Sequence, residues 1–146
     1  MVLTYLIKDM MTKEVVTVDS EDTIEEASKV MAEKRRGYAV VLRAGRPVGM
    51  VTERDFVWKL IAKGKSPSKV KVSEVMSSPI IAVDPDADLS TAVEIMEKHQ
   101  IRRLPVIKDG IIYGIITTRD IVNHFNEYVK KAMIEVTRYS FPRLLF

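Results

Sequence analysis

Two stretches of the chain carry the same polar residues in the same order: Gly49-Met-Val-Thr-Glu-Arg-Asp55 and Gly114-Ile-Ile-Thr-Thr-Arg-Asp120. In each, an apolar run ends at a Thr, and an Arg-Asp pair follows within one helical turn. Thr52 and Thr117 are spaced to cap a helix, and Asp55 and Asp120 suit the positive end of its dipole. Capping does not account for the recurring Arg54 and Arg119, or for the recurring Gly. The same residue types can also hold a ligand. A cap hydroxyl beside free N–H groups suits a phosphate, and a carboxylate one turn on can accept two hydrogen bonds from the cis-hydroxyls of a ribose.

Other chemistry finds little support. The chain has no Cys, and its two histidines, His99 and His124, are too isolated for a His-based zinc site. Paired catalytic carboxylates, a Ser/His or Cys/His set, a P-loop and a GxGxxG motif are all missing. The expectation is therefore a protein that is not an enzyme, with no metal and no required cofactor. A net charge of +3 is mildly basic. The lack of a dense basic stripe or aromatic–basic interleaving argues against nucleic acid as a partner. No apolar run could span a bilayer and no signal-peptide pattern opens the sequence, so a cytoplasmic location is expected.

The two motifs belong to a larger duplication. Shifted by 65 places, so that Met11 falls on Met76, residues 7–57 overlie 72–122 without a gap and share twelve identities. Chance would give roughly three, so the repeat governs the reading. Each copy reads as β-α-β-β-α. A short strand (15–18, then 80–83) precedes an amphipathic helix with Ile24, Ala27, Val30 and Met31 on one face, or Leu89, Ala92, Val93 and Met96. Thr23 and Glu26 form a capping-box pattern. Hairpins follow at Ala44-Gly45 and Asp109-Gly110, and second helices begin at Glu53 and Thr118. The class is α/β (α+β), with the two units packed sheet to sheet about a pseudo-two-fold axis. Unit 1 spans 1–62, a polar linker 63–71, unit 2 72–126, and a helical tail with an apolar stripe 127–146. The tail's Pro142 and Leu144-Leu145-Phe146 suggest its end.

The repeat, the Gly-h-h-Thr-x-x-Asp endings (h apolar) and Ile101-Arg-Arg-Leu-Pro-Val106 resemble the cystathionine-β-synthase (CBS) domain, two of which in tandem form a Bateman module. The resemblance implies a non-catalytic regulatory module that binds AMP, ADP or ATP, or S-adenosylmethionine, in clefts between the units. It also implies a homodimer acting on a regulated protein partner. Carried over by position, the main cleft uses Thr117, Arg119 and Asp120 with Arg102 and Arg103 for phosphate. Thr12, Val15, Val16, Gly37 and Tyr38 supply its adenine pocket. A second, weaker cleft uses Thr52, Arg54 and Asp55 with Ser77, Ile80 and Ile81, and with Arg102 and Arg103 from across. It is ranked lower because Gly37-Tyr38 stand where the second copy has Arg102-Arg103, and Val40 replaces the family's Pro. Arg36 or Arg54 is the substitute phosphate anchor. Trp58 reads as a packing or dimer-contact residue. Two alternatives compete with this reading: a basic nucleic-acid-associated protein, and a purely structural dimerisation unit.

Overall fold

The computed structural model describes residues 5–140. In the first repeat, β1 (Thr17–Asp19) pairs in parallel with β2 (Tyr38–Arg43), which pairs antiparallel with β3 (Arg46–Thr52). Helix α1 (Ile24–Lys34) crosses over between β1 and β2. Its start is fixed by the expected capping box: Glu26 N–H donates to Thr23 Oγ1 (3.1 Å) and Thr23 N–H to Glu26 Oε2 (2.9 Å). Helix α2 (Glu53–Asp55) runs on through a π turn (Phe56–Leu60) and a 3-10 turn (Ile61–Lys63). A short α3 (Val72–Val75) opens the second repeat. Then come α4 (Leu89–His99), the antiparallel pair β4 (Arg103–Lys108) and β5 (Ile111–Thr117), and α5 (Thr118–Ser140). The chain is thus a mixed α+β fold.

The duplication is visible in backbone detail. Both hairpins turn on two residues with positive φ, Ala44-Gly45 and Asp109-Gly110, as a tight primed turn requires. Both carry a bulge at the same place, after Val41 and after Val106. Both crossover helices end on a left-handed residue, Arg35 and Gln100.

The copies also differ from expectation. The strand expected over 15–18 is shorter and shifted, at Thr17–Asp19. Its counterpart over 80–83 is reduced to a bridge between Val83 and Val106. Two prolines explain the loss. Val40 N–H donates to Val16 O (2.9 Å) and Ser20 N–H to Leu42 O (2.8 Å). The equivalent positions are Pro105 and Pro85, which have no N–H to donate. Val30 and Val93 face outward and not into the core. The tail expected to start at 127 is continuous with the motif helix: α5 runs unbroken from Thr118 to Ser140. Pro142 and Leu144-Leu145-Phe146 lie outside the described residues.

Each repeat lends its opening segment to the other repeat's core. Ile7 and Met10 are buried with Val83, Ala92, Met96, Leu104, Val106 and Ile116. Val72 and Val75 are buried with Val18, Ile24, Ala27, Met31, Val41 and Val51. The backbone bonds obey the same pseudo-symmetry: Ile7 N–H to Ala87 O (3.0 Å) matches Val72 N–H to Asp22 O (2.8 Å). Two further pairs cross between the halves. Thr12 exchanges backbone hydrogen bonds with Ile115 (2.8 and 2.9 Å), and Ser77 with Met50 (2.9 and 3.0 Å). Strand alternation does the rest. Ala39, Val41, Leu104 and Val106 face their own helices. Val40 and Pro105, equally buried, face the opposite way, towards the junction of the two sheets.

Candidate functional site

Both Thr-x-x-Asp motifs form reciprocal caps. Thr52 N–H and Oγ1 donate to Asp55 Oδ2 (2.9 and 3.1 Å), and Asp55 N–H returns to Thr52 Oγ1 (3.3 Å). Thr117 and Asp120 repeat the arrangement at 2.9, 3.0 and 3.2 Å. The helix-cap role is therefore real in both copies, and it leaves the second carboxylate oxygen of each Asp free for other partners.

Those partners differ. Asp55 is 9% exposed, and its Oδ1 pairs with Lys59 Nζ at 2.9 Å. Lys59 also donates to Val75 O (2.9 Å), the last carbonyl of α3. Asp120 Oδ1 instead accepts from the Thr12 hydroxyl (3.1 Å).

A cleft of about 660 Å³ opens beside Asp55. Its polar wall is Thr52, Glu53, Arg54, Asp55, Lys59, Ser77, Gln100, Arg102 and Arg103. Its apolar wall is Met50, Trp58, Pro79, Ile80, Ile81, Ile101 and Pro105. Four cationic side chains against two acidic ones make it net positive. It joins one repeat's motif to the other repeat's first loop and β4, as two halves meeting about a pseudo-two-fold axis must arrange. A model of the CBS domain matches residues 7–62 and again 72–127. The chain belongs to the CBS-domain family.

The CBS domain-containing protein YhcV of Bacillus subtilis is 35% identical over 136 residues, covering 92% of this chain and 96% of that protein. Two other curated relatives are longer, and the chain spans 57% and 33% of them. Among solved structures, the CBS domain pair of protein MJ0100, in complex with 5-methylthioadenosine and S-adenosyl-L-methionine, superposes with a TM-score of 0.77 at 26% identity, over 86% of this chain and 99% of that one. Hypoxic Response Protein I with two coordinated zinc ions gives 0.73 at 33% identity, over 82% and 98%. Among the described residues of this CBS pair, no group of three or more His, Cys, Asp or Glu is placed to hold a metal ion. No described helix is long and apolar enough to cross a membrane.

The residues expected for the two CBS clefts divide unevenly. Thr52, Arg54, Asp55, Ser77, Ile80 and Ile81 all line the one cleft, together with Arg102 and Arg103. The basic pair lines the Asp55 cleft, as expected for one of its two roles, and Arg103 also reaches over Tyr38, a residue expected in the Asp120 cleft. Arg103 is the backbone partner of Thr117, but its neighbour Leu104 points into the core, so Arg103 and Pro105 face across to the other CBS unit. Around Asp120 the space is taken up differently. Tyr38 is 7% exposed, with the Arg103 guanidinium 4.9 Å from its ring centre. Burial pushes its phenol pKa up, against the nearby charges of Arg36 and Arg103. Val16 packs in the first core, and its carbonyl is claimed by Val40. Val15 is half-buried, Arg119 is exposed, and Gly37 lies beneath the Glu53 carboxylate.

The spacing of residues did not flag Trp58 or Lys59 as cleft residues. Arg54 stacks on Trp58, 3.8 Å from the ring centre, at the cleft edge. Both residues lie in the π turn directly after Asp55. Such turns concentrate at functional sites but have no reliable sequence signal.

Proposed function

We propose that this CBS pair is a regulatory module, not a catalyst, that binds an adenosine nucleotide (AMP, ADP or ATP) in the Asp55 cleft. The observation that carries the reading is the convergence of a ribose-type acceptor, Asp55, with Arg102 and Arg103 on one net-positive cavity that is also lined by apolar side chains. Asp55 accepts from the ribose hydroxyls. Arg102 and Arg103 hold phosphate, and Arg54 supports them. Ile80 and Ile81 flank the base, with Ser77 beside them. Pro105 contributes through what it lacks: it cannot donate to Ile81 O as Val40 donates to Val16 O. That carbonyl is left unclaimed by β4 and can accept from the adenine amino group.

Charge-assisted hydrogen bonds contribute roughly 1.5–3 kcal/mol each. Two from the ribose, an Arg–phosphate pair and adenine burial reach micromolar affinity, about −8 kcal/mol. The Asp120 cleft, with Thr117, Thr12, Val15, Gly37 and Tyr38, is a second and weaker site. S-adenosylmethionine is the second ligand reading, favoured by the solved pair that holds it. The output passes through a homodimer or a protein partner, for which the exposed stripe on α5 is the surface proposed.

Titration calorimetry with AMP and ATP tests the reading. Asp55→Ala is expected to weaken the tighter site at least about tenfold, and Asp120→Ala to leave it nearly unchanged. The reverse order sinks the assignment of the main cleft. A melting temperature raised by DNA or RNA but not by nucleotides sinks the nucleotide reading itself.

A further inference from the structure

The carboxylate assigned to ribose already has an occupant. Lys59 Nζ stands 2.9 Å from Asp55 Oδ1, on the oxygen that Thr52 does not use. Asp55 is nearly buried, whereas the Lys59 side chain is 46% exposed and lines the cleft. The pair is specific to this half. The position equivalent to Lys59 is His124, which stacks on Tyr5 at 4.8 Å and leaves Asp120 to the Thr12 hydroxyl. Only after Asp55 does a π turn follow among the motif helices, and that turn contains Lys59.

We infer that Lys59 is a specificity-determining latch, so that the cleft accepts compounds bearing both a vicinal diol and an anionic group. The inference rests on the nucleotide reading above. A diol that takes Asp55 Oδ1 displaces the ammonium from its carboxylate. The released ammonium then lies in a cleft that already holds Arg54, Arg102 and Arg103. Without an anion on the ligand, that exchange leaves four cations together, with the ammonium out of contact with its carboxylate, which is unfavourable where water is partly excluded. With a phosphate on the same ligand, the ammonium trades one anion for another. The diol and the phosphate thus bind cooperatively through a single side chain. An uncharged nucleoside opens the latch at a loss, and a phosphate without a diol leaves it shut.

The test compares AMP, adenosine, 2′-deoxyadenosine monophosphate and ribose 5-phosphate by calorimetry on the wild type, Lys59→Met and Lys59→Arg. Thermal melts check that each variant is folded. In the wild type, AMP is expected to exceed adenosine and its 2′-deoxy analogue by well over tenfold. In Lys59→Met the AMP-to-adenosine ratio is expected to fall about tenfold, because AMP weakens while adenosine holds or tightens. Lys59→Arg should restore most of the ratio. Equal weakening of AMP and adenosine by Lys59→Met overturns the latch, since a merely structural lysine would behave that way. Binding of ribose 5-phosphate with no preference for AMP would remove the adenine reading and keep the latch. If the wild type binds none of the four, both fall.

Discussion

At the scale of single residues, the recurring glycines have a steric cause. Gly49 and Gly114 sit where the other repeat's opening segment crosses the strand. A Cβ on Gly49 would stand 2.6 Å from Ser77 O and 3.1 Å from Met76 Sδ. One on Gly114 would stand 2.6 Å from Thr12 O and 2.8 Å from Met11 Sδ. The clash is with backbone, so it cannot be relieved by a rotamer change. Gly49→Ala and Gly114→Ala are expected to cost about 1–3 kcal/mol each in urea unfolding. Gly49→Ala should also weaken nucleotide binding, because Ser77 lines the Asp55 cleft. The spacing of the motif exposed that a Gly was needed at both positions but not why, since the atoms it avoids come from a segment distant in sequence. The Thr–Asp caps were fully legible, because capping is local. The stacking of Arg103 over Tyr38 was not, because that depends on which sheet face looks across the junction.

Among the elements, the crossover helices and hairpins followed directly from periodicity and turn chemistry, whereas the opening strands did not. An apolar run of four residues resembles a strand whether or not its neighbour can bond to it, and Pro105 and Pro85 remove the donors that would have completed the second ladder. Ser20, which stands where the second copy has Pro85, is fully buried, and its hydroxyl has no partner among the described residues. Ser20→Ala is therefore expected to raise stability by about 1 kcal/mol, measured by urea denaturation. The cap of α4 sets an acid limit. Asp88 accepts from Thr91 N–H and from the Ser90 and Thr91 hydroxyls, and these bonds hold its carboxyl below the usual range. Asp86 is held down likewise by Lys8 and then Lys108. Both folded values lie below the unfolded one. Their contribution is therefore complete above about pH 4 and is lost as pH falls through the folded values. Melting temperature should drop as pH falls below about 4, and Asp88→Asn should flatten part of that drop.

The molecule as a whole presents an unpartnered stripe. Along α5, Val122, Phe125, Val129, Met133 and Val136 recur at intervals of three and four and are all exposed. The 23-residue helix is about 34 Å long. Beyond Tyr128, which meets Tyr5 edge to face, the helix is largely exposed. Deleting residues 127–146 is expected to reduce the mass in solution measured by light scattering. An unchanged mass would turn attention to the other exposed apolar group, Val57, Trp58 and Ile61. The periodic apolar pattern revealed the stripe, but the exchange of opening segments left no trace in composition or spacing. A repeat looks self-contained on the page when its missing piece is supplied by its twin. That exchange has a practical corollary. Polypeptides 1–66 and 67–146, made separately, should each remain without a cooperative melting transition, because each lacks a wall of its own interior. Mixed at equal concentration, they should reconstitute one complex with the spectrum of the intact chain, and a nucleotide that spans the seam should tighten their association.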